Sequence, residues 1–242
     1  MRIALVSDLH GNALALKQVL SRIASVGADQ IICLGDVATL GPEPERVLEL
    51  VHECGALCIL GNHDEFMLRP EIVADYTRIP LLVDAIDWCR ARLSAASLAL
   101  IRSFRETYEL PLNEQHKLLV FHGTPSSNTT DLLATTDADT VEEWVGAYSG
   151  TVLVGGHTHL QMLRQHRGRL LVNPGSVGMP FKEYVAGAAP EVLAHAEFAI
   201  IDADATSVTV SLQRLTLDKV SLRESVLAVD YPLAGFLAKA YA

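Results

Sequence analysis

Short apolar runs that stop abruptly at a glycine or a polar residue dominate the first sixty positions of this 242-residue chain. Arg2-Ile3-Ala4-Leu5-Val6-Ser7 ends at Asp8, Ile31-Ile32-Cys33-Leu34 ends at Gly35-Asp36, and Ala56-Leu57-Cys58-Ile59-Leu60 ends at Gly61-Asn62-His63-Asp64. Each run reads as a buried strand that delivers a polar loop. Between them, Leu16, Val19, Leu20 and Ile23 recur at helical spacing over Asn12 to Val26, and Gly27 closes that helix. Pro44 suits the first turn of a second helix running to about Glu53. Strand, helix, strand, helix, strand is the order of a parallel sheet, in which the loops at the carboxyl ends of the strands form the ligand crevice. Asp8, His10, Asp36, Asn62 and His63 all fall in those loops.

Residues 65–114 change character, with helical segments predicted over 81–93 and over 95–104, the latter capped by Ser94. The stretch is longer than an ordinary connection and departs directly after His63, so it is expected to pack beside the crevice and shape access to it. Strand-like runs then return. Lys117 to Phe121 leads to His122-Gly123, a helix spans Asp137 to Tyr148, and Thr151 to Gly155 leads to Gly156-His157-Thr158-His159. A hairpin follows, 161–165 and 169–172, turning through Arg167-Gly168. At ~3.3 Å per residue its tip lies roughly 20 Å from His159, which removes Arg164, Arg167 and Arg169 as substrate clamps. The returning strand carries Asn173-Pro174-Gly175-Ser176 back toward the crevice, two further strands cover 197–201 and 207–215, and the tail after Asp218 is helical.

The formal net charge of −10 repels polyanions and argues against nucleic acid or an anionic membrane as partner. Half of the residues are apolar, enough to bury one large core over 1–242 without a second domain. The four cysteines show no Cys-x-x-Cys spacing, no run is long enough to span a bilayer, and the apolar start is too short for a signal-peptide core. A reduced, cytoplasmic protein is expected. Nothing in the pattern specifies an oligomeric state.

Five of the nine histidines, His10, His63, His122, His157 and His159, fall just past predicted strands together with Asp8, Asp36 and Asn62. Any one of them alone is weak evidence. Their shared placement converges oxygen and imidazole donors on one crevice with no thiolate, a donor set that suits Mn, Fe, Zn, Co or Ni.

Asp8-Leu9-His10-Gly11-Asn12, Gly35-Asp36, Gly61-Asn62-His63-Asp64, His122-Gly123 and Gly156-His157-Thr158-His159 together resemble the ordered motif set of the calcineurin-like metallophosphoesterases. Asn173 to Gly178 is similar to the small bacterial and archaeal phosphodiesterase branch. The resemblance implies an α/β (α+β) fold, a four-layer αββα sandwich of two mixed sheets flanked by helices, here with a helical insertion at about 65–115 after the third strand. It also implies two divalent transition-metal ions, manganese foremost. Asp8, His10, Asp36 and His159 would hold the first and Asp36, Asn62, His122 and His157 the second. A metal-bridging hydroxide would attack a small-molecule phosphoester in line, with His63 protonating the leaving oxygen.

Two features bound the substrate. The protein phosphatases of the superfamily carry Asp and Arg where this chain has Thr39 and Leu40, so the carboxylate that would orient His63 and a phosphate-gripping arginine are absent there. Some small phosphodiesterases of the family have Cys in place of His63, which leaves monoester and diester hydrolysis both open. The alternatives are a non-catalytic metal-binding interaction scaffold of the same fold and, further behind, a nuclease or protein phosphatase.

Overall fold

The computed structural model describes residues 1–242. The N-terminal half contains β1 (Arg2–Val6), α1 (Ala13–Val26), β2 (Gln30–Cys33), α2 (Pro44–Glu53), β3 (Leu57–Cys58), α3 (Asn62–Leu68), α4 (Val73–Tyr76), α5 (Pro80–Arg90) and α6 (Ala95–Arg102). There follow β4 (Tyr108–Pro111), β5 (Lys117–Val120), α7 (Ala138–Val145), β6 (Val152–Val154), β7 (Met162–His166), β8 (Arg169–Asn173), β9 (His195–Ala203), β10 (Val208–Thr216), α8 (Lys219–Leu227) and α9 (Ala234–Ala240). The strands form two five-stranded sheets, ordered β10-β9-β1-β2-β3 and β4-β5-β6-β8-β7. Each has three adjacent parallel strands and two strands in antiparallel pairing, β9 and β10 on one side in the first sheet and β4 and β7 on either side in the second.

Strand alternation builds the layers. Ile3 and Leu5 of β1 pack with Leu118 and Val120 of β5 and Val152 and Val154 of β6 in a core between the sheets. Their neighbours Ala4 and Val6 face the opposite way, onto helices α1, α2, α5, α8 and α9. On the outer face of the second sheet, Leu119, Phe121 and Leu153 meet Val141 and Val145 of α7. The result is helix, sheet, sheet, helix, the four-layer sandwich expected. The helical stretch after β3 shares the first of these outer cores, contributing Phe66, Met67, Ala85, Ile86 and Ile101.

Most predicted boundaries lie within a residue or two of the observed ones, and the caps explain them. Asn12 Oδ1 accepts from the Ala15 N–H, and Gly27 ends α1 at φ 74°. Ser94 and Asp137 cap α6 and α7 in the same manner as Asn12. Three features differ from expectation. β3 pairs with β2 over two residues only, and its other edge is taken up by the segment at Arg105. Asn62 and His63 sit in the first turn of α3 rather than in a loop, since Gly61 is extended at ψ 168° and Asp64 at the third helical position accepts the Gly61 N–H. The edge strand β4 carries Glu109 and Pro111, which break the apolar pattern.

The hairpin arginines have structural partners. Arg164 donates to the Thr136 carbonyl, Arg167 to Asp139, and Arg169 to Glu142, tying β7 and β8 to α7 and the segment before it. All four cysteines are free thiols. No helix is long and apolar enough to cross a membrane.

Leu118 is fully buried between the sheets. Leu118→Ala is expected to cost about 2–5 kcal/mol in urea unfolding; a loss well under that range would show that the sheets close over the gap.

Candidate metal centre

The carboxyl ends of the parallel strands meet at one point. β1 delivers Asp8 and His10, β2 Asp36, β5 His122, and β6 His157 and His159, while Asn62 and His63 open α3. The loops continue the strand ladder beyond the strands: the N–H groups of Asp8, His10 and Gly11 donate to the carbonyls of Gly35, Asp36 and Val37. The bonds that join the sheets include those from His122 Nδ1 to the Leu34 carbonyl at 2.6 Å and from the His157 N–H to Asp8 Oδ2 at 3.1 Å.

Side-chain donor atoms gather in two groups, Asp8, His10 and His159, and Asp36, His122 and His157. In the first, His10 Nε2 lies 3.0 Å from His159 Nε2, which in turn lies 3.3 Å from Asp8 Oδ1. In the second, His122 Nε2 is 3.1 Å from Asn62 Oδ1 and 3.4 Å from Asp36 Oδ2. Asp36 Oδ2 is also 3.8 Å from His10 Nε2, which places it between the groups. All eight sequence-selected residues are thus brought together.

The surroundings fix which atoms are presented. A carbonyl can only accept, so the bonds to the Leu34 and Met179 carbonyls keep a proton of His122 and His159 on Nδ1 and turn each Nε2, the atom a cation would take in place of a proton, toward the centre. Asp8 Oδ1 and Asn62 Nδ2 are buried with no hydrogen-bond partner in the protein. Two imidazole nitrogens 3.0 Å apart, a buried carboxylate oxygen without a donor, and no thiolate form a donor set that fits divalent cations.

The ionisation pattern follows from the same packing. Burial opposes the Asp8 charge, but the His159 imidazole beside it brings the carboxyl down to about 2. Asp36, equally buried, is held well below the usual carboxylate range by His122, His63 and His10. His10 is lowered to about 3 by burial and the neighbouring His159, whereas the Asp36 carboxylate outweighs burial at His122 and lifts it to about 10.

Asp64, adjacent to His63, was not singled out as a site residue by the sequence pattern. Its carboxylate accepts three backbone N–H groups, from Asp36 at 2.7 Å, Val37 at 2.9 Å and Gly61 at 3.0 Å, while Asp36 Oδ1 accepts the His63 N–H at 2.9 Å. The β2 and β3 loops are thereby locked together. A side chain on Gly61 would meet Asp36 Oδ1 at 2.1 Å, so only glycine permits the lock. Thr39 faces His10 Nδ1 at 3.3 Å, not His63. His63 is instead held by rings, with His10, Phe66 and Tyr76 at centroid distances of 5.2, 5.0 and 5.8 Å. The Asn173 motif braces the centre from behind: Asn173 donates to the Gly156 carbonyl, Ser176 to that of Asp8, and Asn12 to that of Gly178.

A model of the calcineurin-like phosphoesterase superfamily domain matches residues 1–199. The chain belongs to that superfamily. It is 28% identical over 193 residues to the uncharacterised protein MJ0912 of Methanocaldococcus jannaschii, covering 74% of this chain and 76% of that one. It is 25% identical over 201 residues to the phosphodiesterase YfcE of Escherichia coli, covering 74% and 81%. A metallophosphoesterase structure from Sphaerobacter thermophilus superposes with a TM-score of 0.75 at 24% identity, over 100% of this chain and 98% of that one. The superfamily uses divalent metals, in keeping with the two His/Asp groups.

Asp64→Asn keeps the size of the side chain but turns an N–H toward at least one of the three donors. It is expected to lower stability by about 1–3 kcal/mol in urea unfolding and to reduce metal content on elemental analysis. Unchanged values in both would remove the lock as the support of the site.

Proposed function

We propose that the protein is a phosphoester hydrolase, a phosphodiesterase or phosphatase working with two divalent transition-metal ions, manganese foremost. Asp8, His10, Asp36 and His159 would hold one ion, and Asp36, Asn62, His122 and His157 the other. The observation that carries this reading is the position of Asp36 Oδ2, 3.8 Å from His10 Nε2 in one group and 3.4 Å from His122 Nε2 in the other. The superfamily membership and the likeness to a protein named as a phosphodiesterase support it.

Two such ions would activate a water molecule and clamp phosphoryl oxygens for in-line displacement. The protein's part is position and charge. Asp8 and Asp36, ionised at neutral pH, leave a pocket holding two divalent ions net positive, so a phosphoester anion is attracted although the whole chain is acidic. Asn62 contributes an amide oxygen in a second group that needs no further negative charge. His63 is assigned to protonate the leaving oxygen. Burial lowers its pKa to about 4, partly offset by Asp36, and an arriving phosphoester anion would raise it toward the range useful for general acid catalysis. The helices of 65–115 would form one wall of the site within a single domain spanning 1–242.

Two substitutions test the assignment. Asp36→Asn is expected to abolish tight binding of both ions, measured by metal analysis after dialysis; retention of two tightly bound ions would refute the shared-ligand role. His63→Ala should lose about 10²–10⁴-fold in kcat on alkyl phosphoesters and far less on esters of acidic phenols, which need little protonation to leave. Equal losses on both would remove the general-acid role, and metal binding without turnover of any ester would favour an interaction scaffold.

A further inference from the structure

Nine large hydrophobic side chains are exposed on this protein, and five of them, Tyr76, Ile79, Leu81, Tyr184 and Val185, line a single cavity. The cavity has a volume of about 440 Å³ and reaches His10, Asp36, His63, His157 and His159 at its floor. Scattered exposed apolar residues need no explanation, but a cluster walling one concave site marks a ligand surface. Three segments distant in sequence build the walls: the α4–α5 region with Tyr76, Ile79 and Leu81, the 181–192 loop with Tyr184 and Val185, and α9 with Phe236.

The charge of the lining is as informative as its apolarity. No lysine or arginine lines the cavity. Lys182, at the base of the 181–192 loop, is paired with Glu191 at 2.9 Å and lies outside the lining. Apart from Asp36 and the histidines of the floor, the one ionisable carboxylate of the lining is Asp131, which accepts from the Tyr184 hydroxyl at 2.8 Å and lies 3.3 Å from His157 Nε2. The loop is fixed at its base by the pairing of Phe181 with Val192 and by the stacking of Phe181 on His159 at 4.2 Å. A substrate reaching the floor with one phosphoryl group would therefore leave the rest of itself against apolar walls. A second phosphate would meet Asp131 and no cation.

We propose that the substrate is a phosphoester with a single phosphoryl group and an uncharged, apolar alcohol moiety seated against Ile79, Leu81, Val185 and Phe236, and that polyphosphate esters are excluded. This rests on the hydrolase reading above and adds the class of the alcohol to it.

The test uses the metal-loaded protein and p-nitrophenyl alkyl phosphodiesters that share one leaving group and differ in the alkyl chain, from methyl to hexyl. Full burial would give about fourfold per methylene, and a cavity open on one side gives less. The expected rise in kcat/KM from methyl to hexyl is about tenfold or more. A hexyl chain ending in a second phosphate loses that gain. Calorimetry with methyl- and hexylphosphonate reads the same preference without turnover, the longer chain binding more tightly. Ile79→Asp and Val185→Asp, both at exposed positions where a charge does not enter the core, are each expected to remove most of the chain-length gain. Turnover that is indifferent to chain length, or that favours the phosphate-ended chain, overturns the proposal and leaves the hydrolase reading standing. Chain-length-dependent phosphonate binding without turnover supports the apolar site and overturns the hydrolase reading.

Discussion

The interlock of Asp36 and Asp64 is the constraint on which the rest of the centre depends. Each carboxylate accepts from the backbone of the other's loop, Asp64 from Asp36 and Val37 and Asp36 from His63, and Asp64 also accepts the Gly61 N–H of its own turn. A hydrogen bond to a charged acceptor contributes about 1.5–3 kcal/mol, and three of them crossing between the two loops in a buried setting hold the loops together rigidly. This leaves Asp36 Oδ2 free to face the histidines while Oδ1 is engaged. The arrangement has an electrostatic cost, because burial and the Asp36 charge push the Asp64 carboxyl up to about 7, against the pull of the Val37 and Gly61 N–H groups. Two buried carboxylates so close are tolerable when backbone dipoles and nearby imidazoles, or cations, balance them.

The backbone around this interlock is strained in a way found in few other parts of the chain. Seven non-glycine residues have positive φ, and five of them are Asp8, His10, Asp36, His157 and His159. Left-handed backbone costs a non-glycine residue of order 1–3 kcal/mol and persists only where the surroundings over-determine it. Here they do: the β1 and β2 loops are bonded residue by residue, and the Asn173 motif closes over Gly156 and Asp8 from the other side. The kinked geometry turns side chains from two sheets toward one point, which regular strand ends cannot do.

This explains what the sequence could and could not disclose. The strands were legible because apolar runs with sharp ends have a local cause, and the helices because Asn12, Ser94 and Asp137 are local caps. The histidines and carboxylates stood out because they recur at strand ends. Asp64 did not, since its role is acceptance of three N–H groups, two of them 27 and 28 residues away in sequence. Nor was it readable that Phe66 and Tyr76 would take over the orienting of His63, or that Thr39 would turn to His10, because ring packing leaves no spacing rule behind. The cavity walls were the least legible of all. Tyr76, Val185 and Phe236 lie far apart along the chain and belong to no shared periodicity.

On the proposed function, the same walls would reconcile an acidic protein with an anionic substrate. A hydrolase of nucleotides or polyphosphates ordinarily recruits arginine and lysine to hold the phosphates that do not react. In this chain the hairpin arginines are committed to α7 and its preceding segment, Arg90 to the Met67 carbonyl, and Arg92 to the face of Trp88 at 3.5 Å. None of them reaches the cavity lining. With −10 net charge and no cationic side chain at the mouth, positive potential is confined to whatever the floor binds. Discrimination would then fall to desolvation: an apolar group would gain by leaving water for the Ile79 and Val185 walls, while a second anion would lose its hydration and find no partner. On the proposed function, a small floor made positive by bound cations inside an apolar cup would select for one phosphate and against two without any residue that recognises the alcohol by hydrogen bonds.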